Sequence, residues 1–256
     1  MRRAVTTVAV LVALVAGCGS DDEEQTAGGE GAPRLIVSAA SSMTEALTDC
    51  AKNYPDAELK LQFAGSDELA AQIRQGVKPD VFAAANTRLP DELHAEGLLS
   101  KPTVFATNEF VLAVPEDSAI AGVKDLTAEG VKIAIGSESV PIGEYTRESL
   151  AKLPPAQEKG ILANVRSNEP DVKGIVGKLT QGAADAGFVY VTDVNATEGA
   201  LEAIELPPEL EPEATYGAGV VEGAREPEAA QAFVDGLVDG PCADALRGAG
   251  FGAPPG

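Results

Sequence analysis

From residue 34 onward, short apolar runs alternate with stretches whose apolar positions recur at helical spacing. The runs fall at 35–37, 59–63, 81–84, 110–114, 132–135, 187–191 and 217–221. Runs this short, continuous or, at 59–63, alternating with polar residues, read as strands. The stretches between them predict helices over 44–53, 67–75, 87–96, 142–153, 172–181 and 227–237. Regular alternation of strand and helix predicts an α/β fold built on parallel sheets. About 220 residues of this kind exceed what one core usually needs and suit two lobes. No repeat at solenoid spacing interrupts the pattern.

Several of the predicted helices begin in a particular way. In I-V-S-A-A-S-S-M-T-E-A-L, residues 36–47, an apolar strand runs into small residues, and Ser42 stands three positions ahead of Glu45, the spacing of a capping box. The segment L-Q-F-A-G-S-D-E-L repeats the arrangement. There Gly65 permits close backbone approach, Ser66 is the expected cap, and Asp67 and Glu68 fill the first turn. Two further starts are written with proline, Pro141 in S-V-P-I-G-E-Y and Pro170 in S-N-E-P-D-V-K-G. Proline offers no amide, so the first free donors are those of Ile142 in one turn and of Asp171 and Val172 in the other. Any one start is explained by an ordinary capped helix. Four together predict a site where helix-end amides and hydroxyls surround an anion without a cationic side chain.

The first 17 residues carry two arginines and then an apolar core too short to span a membrane, which predicts a secretory signal over 1–17. V-A-G-C, ending at Cys18, resembles the lipobox of bacterial lipoproteins, in which the cysteine is lipidated. The alternative is an ordinary signal with an incidental cysteine. Residues 19–33 are acidic and glycine-rich, and 18–33 is expected to be a lipidated cysteine followed by a flexible tether.

Removal of 1–17 lowers Lys+Arg from 19 to 17 against 40 Asp+Glu, a net charge of −23. Such a balance argues against nucleic-acid binding. It is compatible with an anionic ligand because exposed carboxylates are screened beyond about 8 Å, while helix-end amides act at contact.

Catalytic groups are scarce. His94 is the only histidine and lies in the charged segment D-E-L-H-A-E, where a solvated face is the expectation. No nucleophile elbow, Walker loop, metal-ligand cluster or dinucleotide fingerprint occurs. The sequon at Asn195 to Thr197 is read as chance. The expectation is a protein that is not an enzyme, without cofactor and without direct cation ligands.

Four segments together, A-S-S-M-T-E-A-L, F-A-G-S-D-E-L-A-A-Q-I followed by P-D-V-F-A-A-A, V-P-I-G-E-Y-T-R-E-S-L and A-G-F-V-Y-V-T-D-V, resemble the substrate-binding proteins of molybdate ABC transporters. The resemblance extends from Arg34 to Phe251. It implies the two-lobed periplasmic-binding-protein fold of type II, with the ligand cleft between the lobes and two crossing strands, at 110–114 and 215–221. Lobe one would comprise 34–108 plus 216–256, and lobe two 109–215.

Carried over by motif, the oxyanion ligands would be the hydroxyls of Ser42, Ser66 and Tyr190 and the amides of Ile142 and Val172. Ser41 competes with Ser42. The preference for Ser42 rests on the Met43-Thr44 pair that follows it and on the capping box. The chain departs from the family at Glu169-Pro170-Asp171, just ahead of Val172. Tyr190 read alone is a strand-end tyrosine that could simply pack.

The resemblance further implies a monomer held at the extracytoplasmic face of the cell membrane by its lipid anchor, partnered by an ABC permease and its ATPase. The ligand would be molybdate or tungstate. A donor-only site suits oxyanions that carry no proton, whereas monohydrogen phosphate needs an acceptor, for which Asp67 is the nearby candidate. Sulfate or phosphate binding, or a sensor or enzyme on the same fold, are the alternatives. Finally, the two-lobed topology returns Cys242 to the lobe that holds Cys50. In an oxidising compartment a disulfide between them is expected, against the alternative of two buried thiols.

Overall fold

The computed structural model describes residues 32–255. Residues 1–31, which hold the expected leader, Cys18 and nearly all of the expected tether, lie outside the described residues.

The chain opens with strand β1 (Arg34–Ala40), a single 3-10 turn (Ser41–Met43) and helix α1 (Thr44–Lys52). It continues through β2 (Glu58–Ala64), α2 (Ser66–Arg74), β3 (Val81–Ala84), α3 (Arg88–Ala95), β4 (Thr103–Asn108) and β5 (Phe110–Pro115). A second 3-10 segment (Val123–Thr127) precedes β6 (Ile133–Gly136), α4 (Pro141–Leu150), α5 (Pro155–Ala163), β7 (Val165–Glu169) and α6 (Val172–Thr180). The remainder is β8 (Ala186–Tyr190), α7 (Val191–Asn195), β9 (Leu201–Ile204), β10 (Ala214–Val220), α8 (Pro227–Gly236) and α9 (Pro241–Ala249).

These strands form two five-stranded sheets, ordered β2-β1-β3-β10-β4 and β7-β6-β8-β5-β9. Each sheet with its helices is one lobe of an α/β fold. The sheets are mixed rather than parallel throughout, which corrects the expectation from strand-helix alternation. Strands β1, β2 and β3 run parallel in the first sheet, as do β6, β7 and β8 in the second, and all of these end toward the other lobe. A chain that leaves one sheet across the cleft must enter the other running away from it. Hence β5 is antiparallel to β8, and β10 is antiparallel to β3. The passage from the first sheet to the second takes one residue, Glu109, between β4 and β5; the return uses residues 205–213.

Strands with both faces covered are apolar without interruption, as β3 (V-F-A-A) and β5 (F-V-L-A-V-P) show. In α1 the buried positions Ala46, Leu47 and Cys50 make one stripe, which faces α9 and Cys242. Cys50 and Cys242 are joined as a disulfide there, with their Cα atoms 5.0 Å apart. Phe110 of β5 stacks on Phe188 of β8 at 5.5 Å between ring centroids, fixing the strand that enters the second sheet. Among the described residues no helix is long and apolar enough to cross a membrane.

Candidate anion-binding site

In open α/β sheets ligands lie beyond the carboxyl ends of the parallel strands. Here two such edges face each other. A small cavity between them is lined by Ser41 and Ser42 after β1, Gly65 and Ser66 after β2, and Ala85 after β3. From the second sheet it is lined by Val140, Pro141 and Ile142 at the start of α4, Asp171 and Val172 at the start of α6, and Tyr190 at the end of β8. The cavity is small and opens between the two edges. All five residues expected to hold an oxyanion are therefore brought to one point, and Ser41 stands beside them.

The two serines do not work as helix caps. Helix α1 starts at Thr44 with Met43 as N-cap and no side-chain cap bond, so the expected capping box between Ser42 and Glu45 is absent. Ser42 Oγ instead lies 2.9 Å from Tyr216 Oη, and Glu45 pairs with Lys173. Ser66 is the first residue of α2 rather than its cap, and its Oγ accepts from the Ala85 amide at 3.1 Å. Ser66 Oγ, which accepts there, has its own proton left for the cavity, whereas in the Ser42–Tyr216 pair either hydroxyl can donate. Both serines are almost wholly buried, at 4% and 1% exposure, so that proton has no bulk water to meet.

The proline starts differ from each other. Pro141 is the first residue of α4, as expected, and leaves the Ile142 amide as the first donor of that helix. Helix α6 starts at Val172, with Asp171 rather than Pro170 at its boundary. Asp171 Oδ1 accepts from the Gly174 amide at 2.9 Å, which makes Asp171 the N-cap and commits that side-chain oxygen to its own helix. Amides in the first turn have no acceptor within their own helix, so those of Ile142 and Val172 are free to serve a ligand. Tyr190 Oη is buried and has no hydrogen-bond partner among the described residues. Burial pushes its pKa well above 10, so the hydroxyl keeps its proton and is a donor.

Sequence reasoning missed three neighbours of the site. Tyr216 is fully buried on β10 and 174 residues away from the serine it touches, a separation that no local signal bridges. Asn108 ends β4, and its Nδ2 donates to Thr192 Oγ1 at 2.9 Å and to Tyr216 Oη at 3.4 Å. Lys173 follows Val172 directly and reaches Asp193 Oδ1 at 3.1 Å and Glu45 Oε2 at 2.7 Å. Burial pushes the Asp193 carboxyl up to about 6, against the opposing pull of Lys173. Burial lowers the Lys173 pKa, but Asp193 and Glu45 outweigh it and raise the net value, so the lysine is committed to those carboxylates.

Further contacts join the two edges. Ser139 Oγ donates to Asp67 Oδ2 at 2.6 Å, so the carboxylate named as a candidate acceptor is engaged across the cleft through that oxygen, while its Oδ1 is buried without a partner among the described residues. Glu144 receives Asn86 Nδ2 at 3.1 Å and pairs with Arg88. Exposed pairs of this kind contribute about 0–1 kcal/mol each, too little to hold the cleft shut by themselves. Gly65 fits the same close approach, since a Cβ there would run into the Pro170 carbonyl oxygen of the opposite edge. His94 is exposed on α3 and far from these groups in role, with Nδ1 2.9 Å from the Leu99 carbonyl. No group of three or more His, Cys, Asp or Glu side chains is placed to hold a metal ion among the described residues.

Two lobes closing on a small cavity walled by hydrogen-bond donors define a solute-binding protein. The model of the bacterial extracellular solute-binding protein family matches residues 35–252, and the chain belongs to that family. It is 34% identical over 235 residues to the molybdate-binding protein ModA of Mycobacterium tuberculosis, covering 88% of both chains. To ModA of Escherichia coli it is 28% identical over 231 residues, covering 85% of this chain and 88% of that one. Among solved structures, the periplasmic molybdate-binding protein of Azotobacter vinelandii matches with a TM-score of 0.77 at 18% identity, over 86% of this chain and all of that one; this likeness concerns the fold.

Proposed function

We propose that this protein binds a tetrahedral oxyanion that carries no proton, molybdate or tungstate, outside the cytoplasm and delivers it to an ABC permease driven by its ATPase. The observation that carries the reading is the wall of the cavity. Ser42, Ser66, Tyr190 and the Ile142 and Val172 amides supply five donors, no Lys or Arg lines it, and the one carboxylate present, Asp171, faces its own helix cap. A fully deprotonated dianion satisfies every one of these donors. A ligand with a proton of its own leaves that proton facing another donor, at a cost of about 1–3 kcal/mol. The molybdate-binding relatives support the same choice.

In this reading lobe one is 34–108 with 216–256 and lobe two is 109–215. The anion touches both and stabilises the closed form by its differential affinity, the signal by which a permease tells loaded from empty protein. Cys18 carries the lipid that holds a monomer at the membrane, and the chain performs no catalysis. The test is thermal unfolding of residues 32–256 in a panel of oxyanions. A ligand at a hundred times its dissociation constant adds about 2.7 kcal/mol. Molybdate and tungstate are expected to stabilise at micromolar concentration and monohydrogen phosphate is not. Equal stabilisation by phosphate would refute the donor-only reading.

A further inference from the structure

We infer that Asn108 and Tyr216, neither of which lines the cavity, set the direction of the Ser42 hydroxyl and thereby act as positioning residues for selectivity against protonated oxyanions. The inference rests on the oxyanion reading of the cavity. Asn108 Nδ2 has two protons; one goes to Thr192 Oγ1 at 2.9 Å and the other to Tyr216 Oη at 3.4 Å. A tyrosine hydroxyl has a single proton. Tyr216 Oη lies 2.9 Å from Ser42 Oγ, a pair in which either hydroxyl can donate, and we take Tyr216 as the donor because Asn108 already fills one of its acceptor sites. Ser42, accepting in turn, keeps its own proton for the cavity that it lines.

The second serine shows why this relay matters. Ser66 Oγ accepts from a backbone amide, that of Ala85, which has no acceptor form, so the direction of Ser66 is fixed by the main chain. The direction of Ser42 is fixed only by a side-chain amide two hydrogen bonds away. Tyr216 is fully buried and Asn108 nearly so, which leaves solvent little access to these bonds. Reversal would turn one donor of the cavity wall into an acceptor. The site would then suit an anion such as monohydrogen phosphate, which brings its own proton.

Asn108→Asp tests this, because a carboxylate only accepts: Tyr216 would turn its proton to the new carboxylate, Ser42 would donate to Tyr216, and a lone pair would face the ligand. Titrations are made at mildly alkaline pH, where molybdate and monohydrogen phosphate are both dianions, so that the added charge acts on both alike. Molybdate affinity is expected to fall at least about thirtyfold and the preference for molybdate over phosphate by about tenfold or more. In Asn108→Asp combined with Tyr216→Phe the charge stays and the relay is cut. There Ser42 has no imposed direction, so the preference is expected to lie between that of wild type and that of Asn108→Asp, as it should in Tyr216→Phe alone.

An unchanged preference in Asn108→Asp would overturn the relay. A double variant as impaired as Asn108→Asp would also overturn it, since charge alone would then be the cause. Should the buried carboxylate prevent folding, Asn108→Leu takes its place: it frees Tyr216 to accept, and a preference unchanged from wild type would again count against the relay. Wild-type and Ser66→Ala titrations report on the cavity itself, because Ser66 takes no part in the relay.

Discussion

Reduction of the Cys50–Cys242 bond is expected to lower the unfolding free energy by about 4–5 kcal/mol while leaving oxyanion affinity within about twofold. The bond links residues 192 apart in sequence, so in the unfolded chain it closes nearly all of residues 32–255 into one loop, and the chain-entropy account gives long loops the largest effect. For a domain of this size the loss corresponds to about 8–20 °C in melting temperature. Affinity is spared because the bond ties α9 to α1 within one lobe and neither cysteine lines the cavity. The measurement is calorimetric melting with and without reductant, paired with intact mass after alkylation. Two carbamidomethyl groups on unreduced, denatured protein would mean that the thiols are free, and the predicted destabilisation would have no source.

Removing two donors from opposite edges, Ser66→Ala together with Tyr190→Phe, is expected to weaken molybdate binding by about 3–5 kcal/mol, a loss of two to four orders of magnitude. Each hydroxyl donates to a charged oxygen, an interaction of about 1.5–3 kcal/mol, and the two meet only through the ligand. The single variants should part company in the apo protein. Ser66→Ala strands the Ala85 amide that Ser66 Oγ accepts, which costs about 1–3 kcal/mol of stability. Tyr190→Phe removes a buried hydroxyl that has no partner, so the apo protein should be as stable as wild type or more so. Titration calorimetry and denaturant unfolding on the two variants read both effects. Wild-type affinity in the double variant would remove these hydroxyls from the site.

How much of this was legible beforehand follows the burial of each element. The central strands β1, β3, β5, β6, β8 and β10 are covered on both faces, and their apolar runs located all of them in the sequence to within three residues. The strands that escaped, β4, β7 and β9, all lie at sheet edges. The V-R-S-N-E of β7 never buries a residue fully, so no apolar run marks it. Helix α5 buries only Ile161, and α7 has five residues; neither has an apolar stripe long enough to read. The edge strand β2 was recovered because L-K-L-Q-F alternates.

At the site, the residue types and helix starts were legible because they are local. Their hydrogen-bond roles were not. Ser42 and Ser66 carry the composition of caps, yet Ser42 Oγ bonds to Tyr216 Oη and Ser66 Oγ accepts from the Ala85 amide, partners supplied from far along the chain. The same holds for Asp67, a first-turn residue whose Oδ2 is claimed by Ser139 of the other lobe. Local propensity describes what a side chain can do, and the fold decides which of its options is used.

The central claim is that five named donors hold one unprotonated tetrahedral anion between the lobes. A crystal structure of the protein with molybdate, phased on the anomalous signal of molybdenum, tests it most directly. The metal is expected in the cavity between Ser42 and Val172, with oxygens at about 2.7–3.1 Å from Ser42 Oγ, Ser66 Oγ, Tyr190 Oη and the Ile142 and Val172 amides, and with Lys173 still on Asp193 and Glu45. A molybdenum peak outside this cavity, or one held by Lys173 in place of these donors, would contradict the account.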